Sequence, residues 1–164
     1  MDTTSLPKLT ITSSAFDEGA MIPQKHSLNG KNISPEIAWS NAPEGTKSFV
    51  IIMEDPDIPM PKFLISSWTH WIVYNIPPET TFIAEALPTG GTLENGIKQG
   101  KTSFMKTGYN GPKPPFGTHR YFFNIYAMDK TMDLIPEKTS KKKIKNAMDG
   151  HILAQGKLMG RYKK

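Results

Sequence analysis

The sequence predicts a mostly β protein: an antiparallel β-sandwich with one C-terminal helix and a long irregular excursion. Three observations predict it. Short runs of β-branched and aromatic residues recur at 48–53, 67–76 and 119–128, and such residues suit a pleated, half-buried surface. Glycine and proline fall between those runs, where they mark turns. Helical spacing of apolar residues is confined to one late segment, about 141–154. With 164 residues, the chain reads as a single domain, 1–164, large enough for its own core.

The elements follow in order. The run LTIT at 9–12 alternates apolar and polar residues and predicts a first strand. Residues 17–37 read as loop, punctuated by Gly19, Pro23, Asn29-Gly30 and Ser34-Pro35. A short strand at 37–39 and a turn at 42–46 come next. The run SFVIIM at 48–53 is apolar on both faces, which places it inside a sheet. It ends in EDPDIPMP at 54–61, whose prolines keep the preceding residues extended.

Strict alternation in the strand at 67–76 puts Trp68, His70, Ile72 and Tyr74 on one face and Thr69, Trp71 and Val73 on the other. Residues 79–106 form the excursion, and loops of that length are often functional. Residues 108–117, crowded with glycine and proline, make a stiff bent loop. It delivers the strand at 119–128, with His119, Tyr121, Phe123 and Ile125 on one face. Arg120, Phe122, Asn124 and Tyr126 share the other. Ser140 is the expected N-cap of the helix at 141–154, with Ile144, Met148 and Ile152 as its buried stripe. Gly156 is the expected stop, and 157–162 the closing strand.

Composition narrows the function. Absence of cysteine excludes disulfides, thiol nucleophiles and thiolate metal sites, and suits a reducing cytoplasm. The N-terminal stretch at 1–14 has neither a basic region nor an apolar core of secretory type. No apolar run approaches the ~20 residues of a membrane span. The net charge of +5 comes largely from lysines at 141–145 and the tail at 161–164. Such runs are solvated surface, so nucleic acid is not the expected partner.

Asp55, His70, His119 and Tyr121 all emerge at strand ends beside rigid loops, with Asp57 a fifth candidate. Protonated imidazoles and a phenol are hydrogen-bond donors, and a neighbouring carboxylate would fix a ring's tautomer. Such a pocket suits a phosphate or carboxylate monoester, with affinity expected to fall as pH rises through the histidine pKa values. Packing alternatives stand beside these roles: Asp55 could open an Asp-Pro turn, and Tyr121 or His70 could be core. Arg120, on the opposite strand face, reads as one half of a structural ion pair. His26 and His151 read as packing or surface residues.

Several motifs are shared with one family. They include Asn32-Ile33-Ser34-Pro35 with Trp39, Asp55-Pro56-Asp57 with Pro59, and His70-Trp71 before Tyr74-Asn75-Ile76-Pro77. Gly45-Thr46-Lys47-Ser48, Gly111-Pro112-Lys113-Pro114-Pro115, Gly117-Thr118-His119-Arg120-Tyr121, the run AMDGHILA at 147–154 and Gly160-Arg161-Tyr162 complete the set. Across nearly its whole length the chain resembles the phosphatidylethanolamine-binding proteins, in their bacterial and archaeal, Raf-kinase-inhibitor-like branch. The resemblance implies a β-sandwich with a small anion pocket walled by Asp55, His70, Gly111, Pro112, His119 and Tyr121. Asp57, Pro59, Trp71 and Arg120 would support it.

The expected function is therefore binding of a small phosphorylated or carboxylated ligand, without catalysis and without a cofactor or metal. A kinase or protease is the implied regulated partner, and a homodimer is implied by analogy with prokaryotic relatives. Two alternatives differ in class. Asp55, Asp57, His70 and His119 could instead hold a metal for ester hydrolysis, although no HExxH pair is present. Or the loops could bind a protein, leaving the pocket vestigial.

Overall fold

A computed structural model describes residues 6–164. Residues 1–5, part of the stretch read for a leader, lie outside the described residues. Eight strands form two antiparallel sheets. A three-stranded sheet runs in the order β1 (Thr10–Thr12), β2 (Ile37–Ser40), β5 (Phe82–Ile83). A five-stranded sheet runs β6 (Lys98–Gln99), β4 (Trp68–Ile76), β3 (Ser48–Asp55), β7 (Thr118–Met128), β8 (Ile152–Lys163). The single α-helix among the described residues, α1 (Lys141–Met148), covers the far face of the larger sheet.

The reading of 48–53 as an interior strand is explained by two apolar cores. Phe49, Ile51 and Met53 of β3 point between the sheets, where they meet Ile11, Ile37 and Trp39 of the smaller sheet and Phe123 and Ile125 of β7. Val50 and Ile52 point the other way, against Ile144 and Met148 of α1 and Tyr126 and Met128 of β7. The strand is paired on both edges, by β4 and β7, which gives its buried backbone polar groups their partners in the ladders.

Three sequence expectations are corrected. The helix ends at Met148 rather than near position 154, because Gly150 takes a left-handed φ of 80° and turns the chain. Ile152 keeps helical spacing from Met148 but begins β8, so the closing strand runs through Gly156 rather than starting after it. The excursion at 79–106 is also partly sheet, since it supplies β5 and β6. Ser140 does cap α1, its hydroxyl accepting the Lys143 amide at 3.3 Å.

Gly156 has a packing role inside β8. Leu9 donates to the Gln155 carbonyl at 2.9 Å, which lays the chain before β1 across β8. A Cβ at position 156 would overlap the Leu9 carbonyl oxygen. Gly156→Ala is expected to cost roughly 1–3 kcal/mol of stability, read as a lower urea midpoint with unchanged slope.

Candidate functional site

Asp55 ends β3, Trp68 begins β4 beside it, and His119 stands one residue into β7, so all three meet at one end of the central sheet. His119 Nδ1 donates to Asp55 Oδ2 at 2.6 Å, with both side chains nearly buried. The other carboxylate oxygen, Oδ1, accepts the Asp57 amide at 2.7 Å. Asp55 is thus both the turn opener and the partner of the imidazole.

His70 reaches this group through a β-bulge. Met53 pairs with Trp71 and Glu54 with Thr69, leaving His70 as the extra residue of β4. Strict alternation placed His70 with Ile72 and Tyr74, but those two pack under α1. The bulge turns His70 to the other face, where its ring meets Tyr121 at 5.2 Å and Phe104 at 5.3 Å, both edge-on. Bulges commonly re-aim one side chain in this way.

The His70 Nδ1–H donates to the Asn110 carbonyl at 2.7 Å, which fixes the neutral tautomer. Burial lowers its pKa to about 4, against the opposing pull of that carbonyl and of Asp55. The expectation of two imidazolium donors is corrected accordingly: near neutral pH His70 is uncharged. Tyr121 is pushed far up by burial, then by the Asp55 charge and hydrogen bond, so its phenol stays protonated.

These groups line a cavity of about 250 Å³ whose other walls are mainly apolar: Leu28, Ile58, Trp68, Phe104, Pro114 and Pro115. Lys113 stands at its edge as the added cation. Gly111 and Pro112 lie buried behind this wall. The Gly111 amide donates to Asn32 Oδ1 at 2.7 Å, and the Pro112 carbonyl accepts the Leu28 amide at 3.0 Å. They fix the loop whose next residues form the wall.

Arg120 forms the expected ion pair, with Nε and Nη2 donating to the two oxygens of Asp57 at 2.9 and 2.8 Å. The Arg120 hydrogen bond also holds the Asp57 carboxyl below its usual range. Trp71 is fully buried behind His70, its indole donating to Gln99 Oε1 at 2.8 Å, whereas Pro59 is exposed in the loop beyond Asp57.

Sequence reasoning missed Leu28, Ile58 and Phe104, which come from loops with no periodic signal, and the carbonyl of Asn110, which no side-chain motif reports. Trp68 was missed too, although its place two residues before His70 on the same face could have found it. A cavity of about 820 Å³ beside α1 and another of about 700 Å³ near Lys101 are larger. Their charged walls are surface side chains such as Lys8, Lys157 and Lys106, whereas the small cavity gathers the buried Asp55, His70 and His119. Among the described residues, no three His, Asp or Glu side chains converge in metal-binding geometry. Asp57, wanted by the metal reading, is turned to Arg120.

A β-sandwich with a small, half-apolar cavity at one end of its central sheet defines a structural class. Comparison with known proteins then gives the family. The family model described as phosphatidylethanolamine-binding protein matches residues 12–163. The chain belongs to the phosphatidylethanolamine-binding protein family. A UPF0098 protein of Methanothermobacter thermautotrophicus is 40% identical over 156 residues, covering 95% of this chain and 99% of the relative. The crystal structure of a homologue from Chlamydia trachomatis is 38% identical, with a TM-score of 0.82 over 96% of this chain and 98% of that one. YbcL of E. coli is 29% identical, with a TM-score of 0.86 over 96% and 99%.

The His70 shift makes stability depend on pH. The unfolded ring titrates near 6.5 and the folded ring near 4, so on acidification the unfolded chain takes up the proton first. Stability is expected to fall from pH 6.5 towards pH 4, by roughly 3 kcal/mol at the limit from this group. Urea unfolding across that range should show the fall, and His70→Gln, which cannot titrate, should flatten it. His26, also lowered by burial, leaves a residual slope of the same sign.

Proposed function

We propose that the chain is a non-catalytic binding protein whose cavity takes a small organic anion, a phosphomonoester or carboxylate with a short apolar part. The observation that carries this reading is the buried Asp55–His119 pair beside His70 in a cavity with mainly apolar walls. At about 250 Å³ the cavity lies below the ~300–1,000 Å³ of drug-sized sites. It suits a headgroup and excludes an acyl chain. The apolar walls add to affinity for an organic anion over a bare one.

Charge balance limits what the cavity can hold. An anion entering beside the Asp55 carboxylate adds a second negative charge in a site of low dielectric. A proton on His119, whose Nδ1–H already faces Asp55, leaves an imidazolium that can donate from Nε2 to the ligand. His70, kept neutral by burial, does not supply the balancing charge. Regulation or inhibition of a kinase or protease is the cellular role consistent with the family.

The test is an NMR titration of the full chain with phosphoethanolamine across pH. Ring signals of His119 and His70 should move, while those of His151, which is paired with Asp129 on the surface, should stay. Unchanged His119 and His70 signals at saturating ligand would overturn the reading.

A further inference from the structure

An unprotected sheet edge is a template for another chain, and folded proteins cover such edges. β8 pairs with β7 on one edge, and on the other its alternate residues turn their backbone outward to loop segments. The Gln155 carbonyl accepts the Leu9 amide at 2.9 Å, and its amide donates to the Pro7 carbonyl at 3.2 Å. The Met159 carbonyl accepts the Gly19 amide at 2.7 Å, and its amide donates to Glu18 Oε2 at 2.7 Å. Arg161 is covered in the same way by Ala20 and Ile22, at 2.9 and 2.7 Å. Alternation gives Lys157 the same outward amide and carbonyl, but neither meets a protein partner among the described residues. The cover has a gap one residue wide, between the stretches that carry Leu9 and Glu18.

The cavity of about 820 Å³ beside α1 opens at this gap, since Leu9, Glu18 and Lys157 all line it. It continues across the outer face of the sheet to Tyr126 of β7 and Lys145 of α1. Its cations are Lys8, Lys145 and Lys157, none of them ion-paired among the described residues. Lys145 Nζ donates to the Tyr126 hydroxyl at 2.9 Å, which leaves that hydroxyl its own hydrogen to give. Lys157 Nζ lies 5.4 Å from the Phe122 ring centre, a contact that leaves its charge uncancelled. Two carboxylates share the wall: Glu18 already accepts the Met159 amide, and Asp149 follows the last turn of α1.

We infer that this notch in the β8 edge binds a short acidic peptide in extended conformation. One peptide residue opposite Lys157 can exchange both backbone hydrogen bonds with it, as residues of an antiparallel pair do. The peptide leaves the edge on either side of that residue, because positions 155 and 159 are already covered. Its aspartate or glutamate side chains then meet Lys8, Lys145 and Lys157. Both halves of the site select this occupant: the open amide and carbonyl match a peptide backbone, and the unpaired lysines match carboxylates. A second copy of a chain of net charge +5 lacks that complementarity. The notch shares no lining residue with the small cavity, so the inference does not depend on what the latter holds.

The experiment is fluorescence anisotropy of a short labelled peptide of alternating glutamate and leucine, titrated with the full chain. Binding should saturate, weaken as salt rises, and vanish when lysine replaces glutamate in the peptide. Lys8→Ala with Lys145→Ala should weaken it about fivefold. Both positions are exposed, so unchanged urea unfolding of that variant controls for folding. The same peptide N-methylated on every amide keeps its carboxylates but cannot donate to the Lys157 carbonyl, and should bind about tenfold more weakly. That arm leaves the protein unaltered. His119→Gln, which alters the small cavity, should bind the peptide like the wild type. Absence of saturable binding by the wild type at low salt would overturn the inference. So would equal binding of the N-methylated peptide or of the Lys8/Lys145 variant, or loss of binding in His119→Gln. A wild-type dimer that the Lys8/Lys145 variant dissociates would give the notch to a second copy and overturn it too.

Discussion

The structure depends on β3 being covered on both faces and hydrogen-bonded along both edges. A strand in that position cannot shift by one residue without exchanging its two cores, since every side chain would change face. Its end is therefore held by the sheet, and that end is Asp55. The carboxylate inherits the rigidity of the sheet and passes it to two neighbours, the Asp57 amide and the His119 ring. A buried carboxylate facing only apolar atoms would be costly. These hydrogen bonds, together with that from Tyr121, are what make the position tolerable.

The same strand separates two chemistries by one residue. Glu54 points to the α1 side, where it accepts hydrogen bonds from Ser67 and Lys141 at 2.7 and 2.8 Å. Burial alone would raise its pKa, but the Lys141 hydrogen bond and charge hold it below its usual range. Glu54 thus fastens the helix to the sheet while Asp55, on the other face, furnishes the cavity. Alternation in one strand divides scaffold from site.

Much of this was legible because it follows from periodicity. The burial of both faces of β3, the shared face of His119 and Tyr121, and the Arg120 ion pair all come from counting by two along a strand. His70 was named but put on the wrong face. The bulge that turns it belongs to the register between β3 and β4, and the sequence of β4 alone does not contain that register. The overlong helix had a visible warning in Gly150, outweighed by the regular spacing of Ile144, Met148 and Ile152. Leu28 and Phe104 were out of reach, since loops approach the cavity by tertiary packing and carry no repeating pattern. Motif resemblance named Gly111 and Pro112, whose contribution in the structure is backbone hydrogen bonding to Asn32 and Leu28.

The cavity draws its carboxylate and its two imidazoles from positions 55, 70 and 119; β3 and β4 follow one another in the chain, whereas the β3–β7 pairing that brings 119 to 55 spans 64 residues. Pairings of such sequence separation are made late and slowly compared with local contacts. His70 is desolvated only when β3, β4 and β7 have come together, and desolvation is what expels its proton. Refolding in mildly acidic solution should therefore discharge a proton at the moment the central sheet closes. The imidazole that shapes the pocket thus also serves as an internal clock for the topology, readable with nothing more than a pH-indicating dye in a stopped-flow mixer.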